Sequence, residues 1–267
     1  MKNLEIYKRQ QLRACQLKQL SILEEIDRVC KNNNIEYWLD GGTLLGAVRH
    51  GGFIPWDDDI DIAMKAEDLK RFTEIAPQQL PPHLFLQTPK NERTKEPITK
   101  VRDLNSFYVE QSDDFRADYN KGLFVDIFPF VDYPSVSRSF TRRITKGISK
   151  SYSVLHRSHY YSLRSAAEFF WFGGKYILYS AIWRLSYLLH PTLSHYGNIP
   201  INNGYGVKHR KDETWPLGTV VFEGKVFPAP KDINAYLREL YDNYMDIPAE
   251  DKQKIHAVFI MPELVKP

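Results

Sequence analysis

Four of the five residues from 57 to 61 are aspartate, in the run Ile54-Pro55-Trp56-Asp57-Asp58-Asp59-Ile60-Asp61-Ile62. Carboxylates packed this densely repel one another, so a fold that keeps them together needs something positive between them, and a divalent cation is the usual answer. From 59 to 64 acid or alanine alternates with Ile or Met, which predicts a β-strand. Side chains two apart share a strand face, so Asp59 and Asp61 point one way while Ile60 and Ile62 enter a core. Asp57 joins the Asp59 face if the strand starts early; Asp58 falls on the other face and reads as a turn or cap residue after Pro55. Two carboxylates on one face can hold one or two hard cations, Mg²⁺ or Mn²⁺, through oxygen.

A two-metal site for in-line displacement at phosphorus needs a third carboxylate from elsewhere. Asp126 is the best candidate, the lone acid in Gly122-Leu123-Phe124-Val125-Asp126-Ile127-Phe128. An unpaired charge buried in such a strand costs several kcal/mol, which either a metal or a basic partner removes. The purely structural alternative is a salt bridge to a buried arginine. Asp59, Asp61 and Asp126 are thus the candidate metal ligands and catalytic residues.

Upstream, Ile35, Tyr37 and Leu39 alternate with Glu36 and Trp38 as a strand should, Gly41-Gly42 ends that strand, and Thr43 opens a short helix through Val48. Glycines let a phosphate approach the backbone, and the first amides of a helix offer donors and a positive dipole end. Gly41, Gly42 and Thr43 are therefore the candidate phosphate-binding residues. Gly-Gly alone is an ordinary turn; followed by an Asp-x-Asp strand it is far more specific.

The remaining pattern reads as α+β. Apolar residues are 43% of the 267 and aromatics 13%, which argues for a folded protein. Leu12, Leu17, Leu20, Leu23, Ile26 and Cys30 recur at helical spacing over the first thirty residues. Cys15 and Cys30 fall in that one helix, which disfavours a disulfide between them. A helix from Ala66 to Ala76 stopped by Pro77 follows, then strand candidates at 83–87, 98–104 and 106–111, and the 122–128 strand bounded by Pro129. Beyond Pro134 long aromatic and basic helical patterns reach His190; a turn-rich segment leads to a last helix over 232–244. The expected layout is a mixed-sheet core with an N-terminal helix over 1–134 and a largely helical part over 135–267. A net charge of +3 is too balanced to indicate nucleic acid. The charged start MKNLEIYKRQ lacks an apolar leader, and no 18-residue apolar run exists, so a cytoplasmic chain is expected. No Cys/His spacing resembles a zinc site.

At this point the chain resembles a known family. Gly-Gly, a short helix, Asp-x-Asp and a later lone Asp are similar to the nucleotidyltransferase superfamily. Within it DGGTLLGAVRHGGFIPWDDDIDI and GLFVDIFPF closely resemble LicD, phosphocholine transferases of bacterial surface glycans, with fukutin-type ribitol-phosphate transferases as relatives. Lys100 and Asp103 in TKVRD, FEGKVFPAP around Glu223, and YLRELYDNYMDIP also look like family landmarks. Two departures are the longer gap from Gly42 to Asp59, and Asp242-Asn243 where Gly-Asp is expected. The resemblance implies a nucleotidyltransferase-like core and transfer of a phospho-alcohol, typically phosphocholine from CDP-choline, to a sugar hydroxyl on a glycan or its lipid-linked precursor. Asp59, Asp61 and Asp126 would hold the metal, Asp126 would accept the hydroxyl proton, and Arg49 and Lys100 would contact phosphate or leaving group. Two rivals remain: an Asp-x-Asp nucleotide-sugar glycosyltransferase, and a non-catalytic glycan-binding relative.

Two segments raise the question of membrane contact. Val136, Phe140, Ile144 and Ile148 form an apolar stripe nearly opposite a basic one of Arg138, Arg142, Lys146 and Lys150. Such a helix either docks on the core with a solvated basic face or lies on an anionic membrane. The aromatic segment 166–189, weakened by Gly173-Gly174, reads as a buried core helix pair or an interfacial contact. Lys208-His209-Arg210-Lys211 reads as a solvated loop, or as a contact for an acidic acceptor or the nucleotide phosphates.

Overall fold

The computed structural model describes residues 2–92, 97–110, 119–156 and 162–264. Helix α1 (Lys2–Asn32) buries Leu12, Leu20, Leu23, Ile26 and Cys30 of the predicted stripe together with Cys15, Ile22 and Val29, whereas Leu17 is exposed; both cysteines are free. Strand β1 (Tyr37–Leu39) leads through α2 (Gly41–His50) to its antiparallel neighbour β2 (Asp61–Lys65). Then come α3 (Ala66–Gln79), β3 (Leu84–Gln87), β4 (Thr99–Asp103), β5 (Phe107–Val109) and the long β6 (Phe124–Tyr133). Two helices follow, α4 (Arg138–His156) and α5 (Leu163–Leu189), which pack against each other. The chain closes with β7 (His195–Asn198), β8 (His209–Arg210), α6 (Lys211–Thr214), the hairpin β9 (Gly218–Phe222) and β10 (Lys225–Ala229), α7 (Ile233–Tyr241) and β11 (Phe259–Met261).

The main sheet runs β1-β2-β6-β4-β3, with β7 on β6 and β8 on β7. Among the described residues only β2 and β6 pair in parallel. The α+β, mixed-sheet expectation therefore holds. Ladder pairs also join the two halves of the chain: β7 lies on β6, and β11 pairs with β5. One large core fills the space between the sheet and α1, α2 and α3, and a smaller cluster of Tyr133, Ile144, Ile148 and Trp183 holds α4 and α5.

Several boundaries differ from expectation for local reasons. All three β1 residues are buried, because both sheet faces are covered there. Helix α2 starts at Gly41, two residues early, with Leu44 N–H already donating to Asp40 O at 3.0 Å. Strand β2 starts at Asp61, two residues late, although Ile60 O still accepts from Asp126 N–H at 2.8 Å. Pro77 lies in the last turn of α3, where the donor it lacks costs only one helix bond. Pro129 does not end β6; its carbonyl accepts from Ile199 N–H at 3.1 Å while the strand continues to Tyr133. Within the 106–111 candidate the strand is Phe107–Val109, and Gln111 lies outside the described residues. The 166–189 segment is one continuous helix through Gly173 and Gly174, and most of it is exposed, so the buried pair is not found.

Candidate active site

The β2–β6–β4 region places three charged residues in one row. Asp61 on β2 is the register partner of Asp126 on β6, and Asp126 is in turn the partner of Lys100 on β4. Lys100 Nζ lies 2.9 Å from Asp126 Oδ1 and donates a hydrogen bond to Oδ2 at 3.2 Å, so both oxygens of the carboxylate face one ammonium. The same ammonium reaches Glu110 at 3.3 Å and covers the Phe124 ring at 3.7 Å. Fully buried Arg102 binds Glu110 at 2.8 Å and Gln87 Oε1 at 2.5 Å. The structural partner of Asp126 is thus a lysine rather than an arginine. Lys100, expected at a phosphate, faces this carboxylate pair.

Asp57, Asp59 and Asp61 complete the acidic group. Burial is the largest reason that each is pushed above the usual carboxylate range, and neighbouring carboxylates add to the shift. Asp126 is pushed up to about 6 by burial, with Lys100 opposing. A Cβ on Gly41, whose φ is +53°, would lie 2.7 Å from Asp61 Oδ2, and one on Gly42 would lie 2.7 Å from Asp57 Oδ2. The two glycines therefore admit carboxylates. Thr43 Oγ1 accepts from Asp61 N–H at 2.8 Å, fixing the start of β2. The α2 N-terminus, expected to face phosphate, is packed against the acids.

An all-oxygen donor set of buried carboxylates that raise one another's protonation fits a hard cation, and Asp59, Asp61, Asp126 and Asp57 are the residues that would hold Mg²⁺ or Mn²⁺. Among the described residues the group with three ligand atoms inside 4.8 Å of one another is Asp57, Asp58 and His256. Asp58, however, is committed. It is fully buried and accepts from Tyr108 Oη at 2.9 Å and from the amides of His256 and Ala257 at 3.1 and 2.7 Å. His256 Nδ1 stands 3.4 Å from Asp58 Oδ1 and its ring is pushed up to about 9, chiefly by its hydrogen bond to Asp58. Asp58 is an anchor for the segment before β11, more than the turn residue expected.

Two cavities meet at Asp59 and Asp61. The first, about 380 Å³, is walled by Gly42, Arg49, Trp56, Asp57, Tyr241 and Asn243 among others. The second, about 600 Å³, adds Asp126, Lys146, Lys150, Tyr152, Asn202 and Tyr205. All three expected carboxylates line this second cavity. Arg49 borders the first, and its Nη1 donates to the carbonyls of Tyr244 and Asp246, each at 3.0 Å, so it also pins the chain after α7. Sequence reasoning missed Glu110, Tyr205, Tyr241 and His256 as neighbours of the site, since no local spacing marks them. Lys146 and Lys150 were read as surface charge. Of the basic run 208–211, His209 is buried and stacked on Tyr236 at 3.5 Å, and Lys208 Nζ donates to Val136 O at 2.5 Å, so two of the four are structural.

The landmarks also find places. Asp103 caps its own turn through Asn105 N–H at 2.7 Å and pairs with Lys18 at 3.4 Å. Glu223 binds Arg13 through both carboxylate oxygens, at 2.9 and 2.6 Å, and accepts from Phe53 N–H at 3.0 Å, clamping the loop that leads into the acidic run.

Comparison with known proteins gives the same picture. The nucleotidyltransferase-domain model of LicD/FKTN/FKRP matches residues 34–166, which span the glycine pair, the acidic run, β4 and β6. The lipopolysaccharide cholinephosphotransferase LicD of Haemophilus influenzae is 29% identical over 92% of this chain and 96% of its own. The human ribitol 5-phosphate transferase FKRP is 33% identical over 38% of this chain and 17% of its own. Yeast mannosyltransferase regulator 4 is 26% identical over 45% of this chain and 10% of its own. With its glycine pair, acidic run and β6 aspartate inside the matched region, the chain belongs to the LicD family.

Proposed function

We propose that the protein transfers a phospho-alcohol, phosphocholine from CDP-choline in the first instance, to a hydroxyl of a cell-surface glycan or its lipid-linked precursor. The observation that carries this is the meeting of two cavities at Asp59 and Asp61, with Asp126 opening only into the second. In-line displacement needs the leaving group and the nucleophile on opposite sides of one phosphorus. The first cavity, with Gly42 and Arg49, suits the nucleotide-linked donor. The second, with aromatic rings, hydroxyls and two lysines, suits a glycan that carries anionic groups.

Bound Mg²⁺ would neutralise the pyrophosphate and polarise the phosphorus under attack. The protein's own residues orient and move the proton. Asp126 accepts it from the acceptor hydroxyl, whose oxygen bonds to the phosphorus that bears the choline, while the pyrophosphate bond on the far side breaks and CMP departs. Lys100 keeps the Asp126 carboxylate aimed along the row, and Thr43 holds Asp61 in register. The resemblance to the cholinephosphotransferase supports choline as the alcohol.

The test is incubation of the full chain with Mg²⁺ and a panel of CDP-linked alcohols, with and without glycan acceptor, reading nucleotide release. Acceptor-dependent CMP, abolished by chelation, is the expected result. Release of a nucleoside diphosphate from a nucleotide sugar would instead identify a glycosyltransferase, and no turnover with any donor would leave a binding protein.

A further inference from the structure

Helix α5 presents a face that no other element of the described fold covers. Of its 27 residues only Trp183 and Ser186 are buried, whereas Phe170 is 76% exposed, Ile177 70% and Leu188 79%. Phe170, Trp171, Ile177, Leu178, Leu185 and Leu188 recur at helical spacing and form one stripe along a helix about 40 Å long. An apolar patch of that extent is well beyond what an isolated soluble surface carries and marks a docking surface.

Charge identifies the occupant. The α4–α5 pair exposes Arg138, Arg142 and Arg143 on α4 and Arg164 and Arg184 on α5. Its acid among the described residues, Glu168, is half-buried and paired with Arg164 at 3.3 Å. Lys175 lies over the Trp171 ring at 4.7 Å. The whole chain carries only +3, so its basic excess is concentrated here. Apolar and aromatic residues flanked by arginine and lysine are the composition of a helix lying in a lipid interface. A second copy would bring two basic rims together, whereas an anionic bilayer neutralises them. No helix of the described residues is long and apolar enough to cross a membrane, so this one would lie on it.

We propose that the α4–α5 hairpin seats the protein on an anionic lipid surface, with the apolar face of α5 in the interface. Helix α4 carries Lys146 and Lys150 on the wall of the Asp126 cavity. The inference stands on the hairpin alone and does not depend on the reaction.

The experiment is co-sedimentation of the full chain with vesicles of phosphatidylcholine alone, or with about a third phosphatidylglycerol, at about 50 mM and 500 mM salt. Partition onto the anionic vesicles should exceed that onto neutral ones at least roughly tenfold at low salt and fall at high salt. A triple variant, Phe170→Gln, Trp171→Gln and Leu178→Gln, should reduce it by a further order of magnitude. Circular dichroism and turnover of soluble substrates should stay unchanged. If that variant fails to fold, a blue shift of tryptophan emission on anionic vesicles alone reads the same contact in the wild-type chain. Failure to bind anionic vesicles at low salt, or equal binding to both compositions, overturns the proposal. So does a dimer that the triple variant dissociates, which would make this face a self-interface.

Discussion

Asp61 and Asp126 are register partners on adjacent parallel strands, so two carboxylates from segments 65 residues apart stand side by side on one face of the sheet. Neighbouring strands lie only about 4.8 Å apart. Burial and neighbouring carboxylates push both acids upward in protonation, and Lys100 opposes this at Asp126. That arrangement is strained unless a cation bridges the row.

Replacing Asp61 should therefore separate folding from activity. In Asp61→Asn one repelling charge is lost, and the melting temperature in EDTA should equal or exceed that of the wild type. Mg²⁺ at a hundredfold over its dissociation constant should stabilise the wild-type fold by about 2.7 kcal/mol. The variant should lose most of that stabilisation, together with a factor of about 10² or more in turnover. Differential scanning fluorimetry with and without Mg²⁺ reads the first, and CMP release the second. An Mg²⁺ shift undiminished in the variant would falsify the role of Asp61 as a ligand.

Lys100 makes the complementary case. Buried, it serves both Asp126 and Glu110. Lys100→Met removes the cation and leaves its partners, a change worth about 3 kcal/mol or more of stability. Because Asp126 then lacks the ammonium that faces it, Mg²⁺ should recover a larger part of that loss than it adds to the wild type. Urea unfolding of both proteins in EDTA and in Mg²⁺ measures the difference. Equal Mg²⁺ increments would mean that Lys100 and the metal site are uncoupled.

Glu223 should show its contribution through pH. Its hydrogen bonds from Arg13, the largest cause, hold its carboxyl below the usual range. A depressed pKa means that the folded state favours the ionised form, so the stabilisation is present above the unfolded value of about 4.5 and fades as pH falls through the folded one. Glu223→Gln should thus be less stable than the wild type at pH 7, with the gap closing as pH drops below about 4.5. The loss should be felt in the 51–53 loop, since Phe53 N–H loses an ionised acceptor. A gap that stays constant from pH 7 to pH 3 contradicts the ion-pair account, and hydrogen exchange at Phe53 locates the change.

What could be read beforehand follows from where the information lies. Strands β2 and β6 were legible because a period of two with isolated acids is a local signal, and the third carboxylate was found by the cost of burying it. Register is not local. The pairing of Lys100 with Asp126 depends on how β4 slides along β6, and a shift of one residue would point the lysine to the other face. His256 reaches Asp58 only because β11 pairs with β5, about 150 residues upstream in the chain. The sequence of helix α5 fits either of its two readings, core or interface, for a related reason. A run of Phe, Trp, Ile and Leu looks the same whether a core or a lipid surface receives it, and only the packed fold shows which faces have neighbours. The glycine pair lies beside the acidic run, but the atoms nearest its missing Cβ positions are aspartate oxygens.

One departure from the family pattern acquires a physical reading from the backbone. Asp242 stands where a glycine is expected, and it ends α7 with φ +52° and ψ −101°. A side chain in that region is strained by about 1–3 kcal/mol, whereas glycine adopts it freely. Asp242→Gly should therefore raise stability by roughly 1 kcal/mol, the relief of strain exceeding the extra entropy of an unfolded glycine. Arg49 pins the residues that follow, Tyr244 and Asp246, and Asn243 lines the first cavity. A relaxed turn should leave that wall in place, so the Michaelis constant for the donor should change less than the melting temperature. Thermal unfolding decides the sign. A destabilised Asp242→Gly would mean that the aspartate's own contacts outweigh its backbone, and that the turn has been rebuilt around it.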